Sequence, residues 1–217
     1  MATRFHVAST TAADISPVYD AEWENTASAV RRAMSLAGAN QTITSGSFTD
    51  STATANRDVL YVQFVSDAIA PGPIAGTLKG QVWANEFATN QDLRIQMIVR
   101  VVSDDGSTFR GTLYGPDTAG LSSEFATSAT NRKAPRGGAA ALSPVTAQLN
   151  DRIVIELGLR KHAALSTQGG IAWGGLTADP DLPEDETTTT LSFRSWFEFS
   201  EDLYTARGSK ARAYILQ

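Results

Sequence analysis

The chain has 217 residues, of which 42% are hydrophobic and 19% are charged, and this composition excludes global disorder. Its formal net charge of −5 argues against a nucleic-acid groove, which needs a basic face, and the absence of cysteine excludes disulfides and thiolate metal sites. No apolar run approaches the roughly 18–20 residues that span a bilayer, so we expect neither a nucleic-acid partner nor a membrane partner.

The first part of the chain is predicted to consist of short extended segments. Residues 3–8 alternate weakly and predict a strand, and Pro17 keeps residues 15–19 extended because it disfavours the α region for the residue before it. Trp23, which lies among acidic residues, is predicted to have a buried ring and an N–H bonded to backbone. Residues 27–37 have a helix-forming composition but also alternate, and we favour a strand because the neighbouring segments are β-like.

The strongest strand signals lie in the middle of the chain. Residues 59–65, VLYVQFV, are typical of a buried strand, and residues 92–114 predict a hairpin around Asp104, Asp105 and Gly106. One face of its first strand carries Leu93, Ile95, Met97, Val99 and Val101, and the other carries Arg94, Gln96, Ile98 and Arg100. Further along, residues 124–130 predict a short edge strand and residues 131–138 a basic loop.

The last third of the chain contains two more predicted strands, residues 152–159 (RIVIELGL) and residues 187–199, with an acidic loop before the second. Turn signals recur at about the 8–12 residue spacing of a sandwich or jelly roll. We therefore predict an all-β fold, a single antiparallel, jelly-roll-like β-sandwich with little helix. Its parts would be an extended N-terminal segment (1–20), the sandwich (21–205) and a C-terminal docking tail (206–217).

No set of residues in the sequence matches the pattern of a known type of catalytic site. His6 and His162 lie in polar segments, and no Gly-x-Ser-x-Gly elbow surrounds any serine. The acids in predicted strands are Glu156 and Glu198, and their alternation predicts that both point outward into solvent. A jelly-roll glycoside hydrolase needs two inward carboxylates about 5–9.5 Å apart, so it is only the second alternative.

Two weaker binding sites are considered. The acidic loop offers oxygen ligands for calcium, but its spacing matches no EF-hand, and no cofactor is predicted. The calcium candidates are Asp179, Asp181, Glu184 and Asp185. An exposed aromatic ring could stack on a surface glycan. Trp83, Trp173 and Trp196 could supply such a ring, and Trp173 and Trp196 are the candidates. Trp196 alternates opposite Phe197 and is expected to face outward.

Several segments resemble proteins encoded among the structural genes of tailed phages and prophages. These segments are SPVYDAEWENTASAVRR (16–32), NRDVLYVQFVSDAI (56–69), IAGTLKGQV (74–82), DLPEDE (181–186) and WFEFS (196–200). The similarity extends over about residues 4–203. It implies a β-sandwich virion component and implies no catalytic residues.

The expected function is that of a non-enzymatic virion structural protein, most simply a capsid decoration protein or another head or tail accessory protein. It would be made in the host cytoplasm without a signal peptide and leave inside the particle. Its partners would be the major capsid protein or other virion proteins, and it would form a homo-oligomer. The predicted interface residues are Trp23, Tyr214, Ile215 and Leu216. The first alternative is a carbohydrate-binding module on the virion.

Overall fold

The computed structural model describes residues 1–8, 10–38, 41–118, 120, 123–125, 127, 130–134, 139–176, 181–182 and 194–204. Among these residues the regular elements are strands, which confirms the all-β prediction. The strands are β1 (Thr3–Val7), β2 (Val30–Ser35), β3 (Gln41–Asp50), β4 (Arg57–Ser66), β5 (Gly72–Ile74), β6 (Thr77–Glu86), β7 (Leu93–Val102), β8 (Phe109–Tyr114), β9 (Thr130–Ala134), β10 (Ala140–Ala141), β11 (Val145–Ala147), β12 (Arg152–Lys161), β13 (Thr167–Gly175) and β14 (Trp196–Phe199).

The long strands form one hydrogen-bonded path, β3-β13-β6-β14-β1-β2-β4-β12-β7-β8, which folds over into two layers. The first layer runs from β3 to β1 and the second from β2 to β8. The layers join where β1 and β2 pair over only two residue pairs, His6 with Ser35 and Val7 with Met34. The pairing is antiparallel throughout the path except between β2 and β4, which run parallel.

Aromatic side chains from both layers meet in the core between them. Tyr61 of β4 lies edge-on to Phe48 of β3 and to Trp173 of β13, at ring-centroid distances of 6.3 and 5.7 Å. Phe64 of β4 contacts Trp173 and Phe197 at 5.9 and 6.0 Å. These rings are buried, and their contacts supply much of the apolar area that holds the two layers together.

The predicted hairpin is confirmed as β7 and β8. Its five inward residues, from Leu93 to Val101, are fully buried in the core between the layers. Gly106 occupies the turn at φ 75°, a backbone conformation that glycine adopts without a Cβ clash. The opposite face of β7 carries Gln96, Ile98 and Arg100, as the alternation predicts.

The segment between β1 and β2 covers the outer face of the second layer. Residues 10–29, which we call the β1–β2 connection, lie against β4, β12 and β7. Asn25 forms a bridge with Val59, and its carbonyl accepts a hydrogen bond from Leu60 N at 2.8 Å. The N-terminal segment is therefore integrated into the domain and does not extend from it, since β1 itself pairs with β14 and β2.

One strand differs in position from the predicted one. The strand expected at residues 124–130 is instead β9, Thr130–Ala134, which pairs with β6 and takes up the first part of the predicted basic loop. Residues 27–37 contain β2, so the choice of strand over helix is confirmed. Of the last predicted strand, residues 194–199 are described, and β14 occupies the final four of them. Within the described ranges there is no helix long and apolar enough to cross a membrane.

Candidate functional site

Glu156 lies fully buried on the outer face of the second layer, beneath the β1–β2 connection. The prediction of a solvated, outward acid is therefore wrong for this residue. Alternation along β12 does direct Glu156 away from the core between the layers. That face is not open to water, however, because residues from near the N-terminus are laid over it.

Four groups donate hydrogen bonds to the Glu156 carboxylate. They are Arg100 Nη2, Gln63 Nε2 at 2.8 Å, Trp23 Nε1 at 2.7 Å and Asp20 N at 3.2 Å. The guanidinium of Arg100 supplies the opposing charge that a buried carboxylate needs. Since all the lone-pair directions are occupied, this carboxylate fastens the connection to the sheet.

Trp23 is the apolar part of this attachment. Its ring is 5% exposed and packs on Leu60 and Ile98, and its N–H bonds the carboxylate of Glu156, not backbone as predicted. A Cβ added at Gly158 would lie 2.6 Å from the ring and 2.1 Å from Val59 O, so only glycine fits beneath it. Trp23 is thus buried within the chain and offers no exposed ring for the predicted contact with a partner.

A second buried ion pair lies at the C-terminal end of β12. Lys161 is fully buried, and its Nζ lies 3.0 Å from Asp50 Oδ2 and donates to the carbonyls of Thr52 and Leu165. Burial raises the pKa of Asp50, but the hydrogen bonds from Lys161 and Thr52 outweigh it, so the net pKa is lowered. Asp50 is therefore held as an anion at neutral pH.

Asp58 shows the opposite balance. Its carboxylate accepts hydrogen bonds from Arg160 Nη1 at 2.8 Å and from Gln96 Nε2 at 3.3 Å. Burial is the largest influence and raises the pKa of Asp58, and these two partners offset it only in part. Like Glu156, Asp58 lies on the outer face of the second layer, and its carboxylate is hydrogen-bonded to side chains of the same domain.

The two carboxylates considered for glycoside hydrolysis do not come together. Glu156 lies in the second layer, whereas Glu198 lies on β14 in the first and forms ion pairs with Arg4 at 2.8 Å and Lys79 at 3.2 Å. Within the described ranges, no three His, Asp or Glu side chains group in a way that would hold a metal ion.

One of the four calcium candidates is described. Asp181 accepts two hydrogen bonds from Arg4 Nη1, at 2.8 and 2.9 Å, so a guanidinium already occupies the place a cation would take. Asp179, Glu184 and Asp185 lie outside the described residues. Asp181 is thus a partner of Arg4, and its use as a calcium ligand is not supported by its contacts.

Neither tryptophan chosen for sugar stacking offers an open ring face. Trp173 is 2% exposed in the core between the layers, and Trp196 is 3% exposed beneath the guanidinium of Arg4, 4.0 Å from its ring centroid. The expectation that Trp196 is exposed is wrong, because Arg4 from the neighbouring strand β1 covers it. The interface candidates Tyr214, Ile215 and Leu216 lie outside the described residues.

His6 lies beside this cation–π pair and predicts a pH dependence of stability. Burial, and then the positive charges of Arg194 and Arg4, lower the pKa of His6 from 6.5 to about 4. Between these values the unfolded chain binds a proton that the folded chain does not, so stability falls as the pH drops from 6.5 towards 4. We expect His6→Gln to flatten the profile in this window, measured by urea unfolding. Parallel profiles for the two proteins would contradict it.

An open groove crosses the outer face of the first layer, on β6, β13 and β3. Its volume is about 480 Å³, and it is lined by Gly46, Ser47, Trp83, Asn85, Phe87, Gly170 and Ile171. Asn85, Gly170 and Ser47 stand opposite one another on the three neighbouring strands. Trp83 was considered from sequence as an aromatic for sugar stacking, and it is the one of the three that lines this groove.

Comparisons with known proteins give the chain no family. No family model matches the sequence, and no curated protein matches it. Two crystal structures of a CocE/NonD family hydrolase from Staphylococcus aureus align with it at 7% and 9% identity, over 91% and 77% of this chain, with TM-scores of 0.29 and 0.27. The chain spans 34% and 32% of those hydrolase chains, and at these TM-scores the likeness carries no argument about activity.

Proposed function

We propose that this chain is a structural component of a tailed-phage virion, in its simplest form a capsid decoration protein, that acts by protein–protein contact and catalyses no reaction. Its partners are the major capsid protein or another virion protein, together with further copies of itself. The proposal starts from the resemblance of its segments to phage structural proteins. Three features of the fold support it.

One edge of β3 has no strand partner among the described residues, and this is the observation that carries the proposal. β3 ends the hydrogen-bonded path, and among the described residues only β13 pairs with it. The strand is ten residues long and contains no lysine, arginine or proline, the residues that commonly block a sheet edge. Such an edge offers a row of backbone groups to an extended segment of another chain.

Two exposed apolar side chains lie in the second layer, near β8, which is the other end of the hydrogen-bonded path. Phe109, at the start of β8, is 58% exposed, and Leu149, in the turn before β12, is 71% exposed. The two belong to the same end of the second layer, because Arg110 bonds the carboxylate of Asp151 at 3.1 Å. Apolar side chains exposed on the surface in this way are available for contact with a protein neighbour.

The buried ionisable groups supply a third support. Glu156, Asp50 and Asp58 each accept hydrogen bonds from cationic neighbours and serve to hold strands and the β1–β2 connection in place. A carboxylate whose lone pairs are filled in this way is not poised to exchange a proton with a substrate. A rigid all-β scaffold with its charges used internally suits a protein whose role is contact.

The proposal is tested by co-sedimentation of the purified chain with phage particles that lack it. We assign the contact with a neighbour to Tyr214, Ile215 and Leu216, and we expect deletion of residues 206–217 to lower occupancy on the particle while the thermal unfolding midpoint stays unchanged. The control variant Leu36→Ser removes an exposed apolar side chain that lies outside the tail and away from Phe109 and Leu149 in the sequence, and it should leave occupancy unchanged. A full-length chain that does not sediment with any particle would overturn the proposal, and equal occupancy after the deletion would overturn the assignment of the tail.

A further inference from the structure

We propose that the groove on β6, β13 and β3 is a binding site for a neutral saccharide. The proposal does not depend on the virion role. The proposed ligand is an uncharged mono- or disaccharide. The apolar face of its ring would rest on an aromatic side chain, and its hydroxyl groups would hydrogen-bond to the Asn85 amide and the Ser47 hydroxyl at the centre of the groove.

The aromatic side chains stand at the two ends of the groove. Trp83, Asn85 and Phe87 are alternate residues, so they project from the same face of β6 and its continuation. Four residues of strand separate the Cα atoms of Trp83 and Phe87 by about 13 Å, enough for a small sugar between the two rings. Phe87 is 49% exposed, an unusual exposure for a phenylalanine and one that a stacked ligand would reduce.

The floor of the groove is flat because it lacks a side chain at its centre. Gly170 lies between Asn85 on one neighbouring strand and Ser47 on the other. A Cβ added at Gly170 would stand 2.9 Å from Asn85 Oδ1 and 3.2 Å from Gly46 O. Glycine in the interior of a strand weakens the sheet, and it often marks a place where a ligand approaches the backbone closely.

The polar groups of the groove indicate the chemistry of the ligand. Asn85 offers both a donor and an acceptor, and Ser47 offers a hydroxyl, a combination that suits vicinal hydroxyl groups, each of which donates and accepts. None of the described lining residues is charged, so none of them compensates an anionic or cationic ligand. A volume of about 480 Å³ also falls in the usual range of small-ligand sites, about 300–1,000 Å³.

The test uses the full chain and saturation-transfer NMR with the methyl glycosides of glucose, galactose, mannose and N-acetylglucosamine, followed by an array of neutral and acidic oligosaccharides. We expect saturable binding of a neutral sugar, unchanged by EDTA. Phe87→Ala and Asn85→Ala should each raise its Kd about tenfold, the loss of about 1.4 kcal/mol that one stacking or hydrogen-bonding contact supplies. Phe109→Ala, which removes an exposed ring from the second layer, should leave the Kd unchanged.

Gly170→Ala provides a variant that keeps all the proposed ligand-contacting side chains. The added methyl group occupies the floor and displaces the Asn85 amide, whose Oδ1 would lie 2.9 Å from it, so we expect weaker sugar binding. Absence of binding to every neutral sugar would overturn the proposal. Binding restricted to acidic glycans, or binding that Phe87→Ala, Asn85→Ala and Gly170→Ala all leave intact, would overturn it as well.

Discussion

Replacing Glu156 with alanine is expected to destabilise the protein by about 3–5 kcal/mol, measured by urea unfolding, because the change removes the closer of the two carboxylates that pair with the buried guanidinium of Arg100 and leaves Asp20, at 3.5 Å. Arg100 is 7% exposed and donates to this carboxylate together with Gln63 and Trp23. The β1–β2 connection should loosen at the same time, so the Asp20 amide, which also donates to Glu156, should exchange its hydrogen faster.

Two further variants separate loss of the ion pair from loss of side-chain volume. Glu198→Ala removes a glutamate from a strand whose ion pairs are partly exposed, and we expect it to cost roughly 1 kcal/mol or less. The double variant Glu156→Gln with Arg100→Met removes both charges and should be less destabilised than Glu156→Ala. A cost for Glu156→Ala no larger than that for Glu198→Ala would show that the connection does not depend on this carboxylate.

Asp50→Ala is expected to cost a similar amount, about 3–5 kcal/mol, because it removes the counter-charge of a buried ammonium at the C-terminal end of β12. Lys161 is fully buried, and without Asp50 its ammonium group keeps only the carbonyls of Thr52 and Leu165. Chemical denaturation at neutral pH measures the loss. Because the pKa of Asp50 is lowered in the folded protein, its contribution is present above its unfolded pKa and fades as the pH falls through the folded value.

The matched control is Asp181→Ala. Asp181 also pairs with a basic residue, Arg4, but its side chain is 49% exposed, and we expect a loss of roughly 0–1 kcal/mol. Adding Lys161→Met to Asp50→Ala removes the unpaired charge and should recover part of the lost stability. If the double variant is no more stable than Asp50→Ala, the buried ammonium is not the origin of the effect.

The fold could be predicted from local pattern because its main strands carry strong signals of their own. VLYVQFV and RIVIELGL lie within β4 and β12, and the alternation from Leu93 to Val101 assigns the inward face of β7 correctly. β-branched and aromatic residues suit a pleated, packed surface, and an Asp-Gly turn closes a hairpin, so both signals act over a few neighbouring residues. Sheet order is different: the parallel pairing of β2 with β4 depends on contacts between segments remote in sequence.

The buried polar sites could not be predicted by the same reasoning, although the sequence contained a signal. Gln63 and Glu156 each interrupt an otherwise apolar strand, and they stand opposite each other in the register of β4 and β12. A glutamate and a glutamine on adjacent strands are equally compatible with a solvated face. Nothing local distinguishes that case from a face covered by Trp23 and its neighbours, which arrive from more than a hundred residues away.

The sequence by itself determined the all-β class, the positions of the main strands and the direction in which their side chains alternate. Only the tertiary structure decided what each outward face meets: the β1–β2 connection over Glu156, Arg4 over Trp196, and an open groove beside Trp83. The physical reason is that the two-residue period of a strand specifies to which side a side chain points. Whether that side is exposed to water depends on whether segments distant in the sequence pack against it, and the two-residue period does not encode that packing.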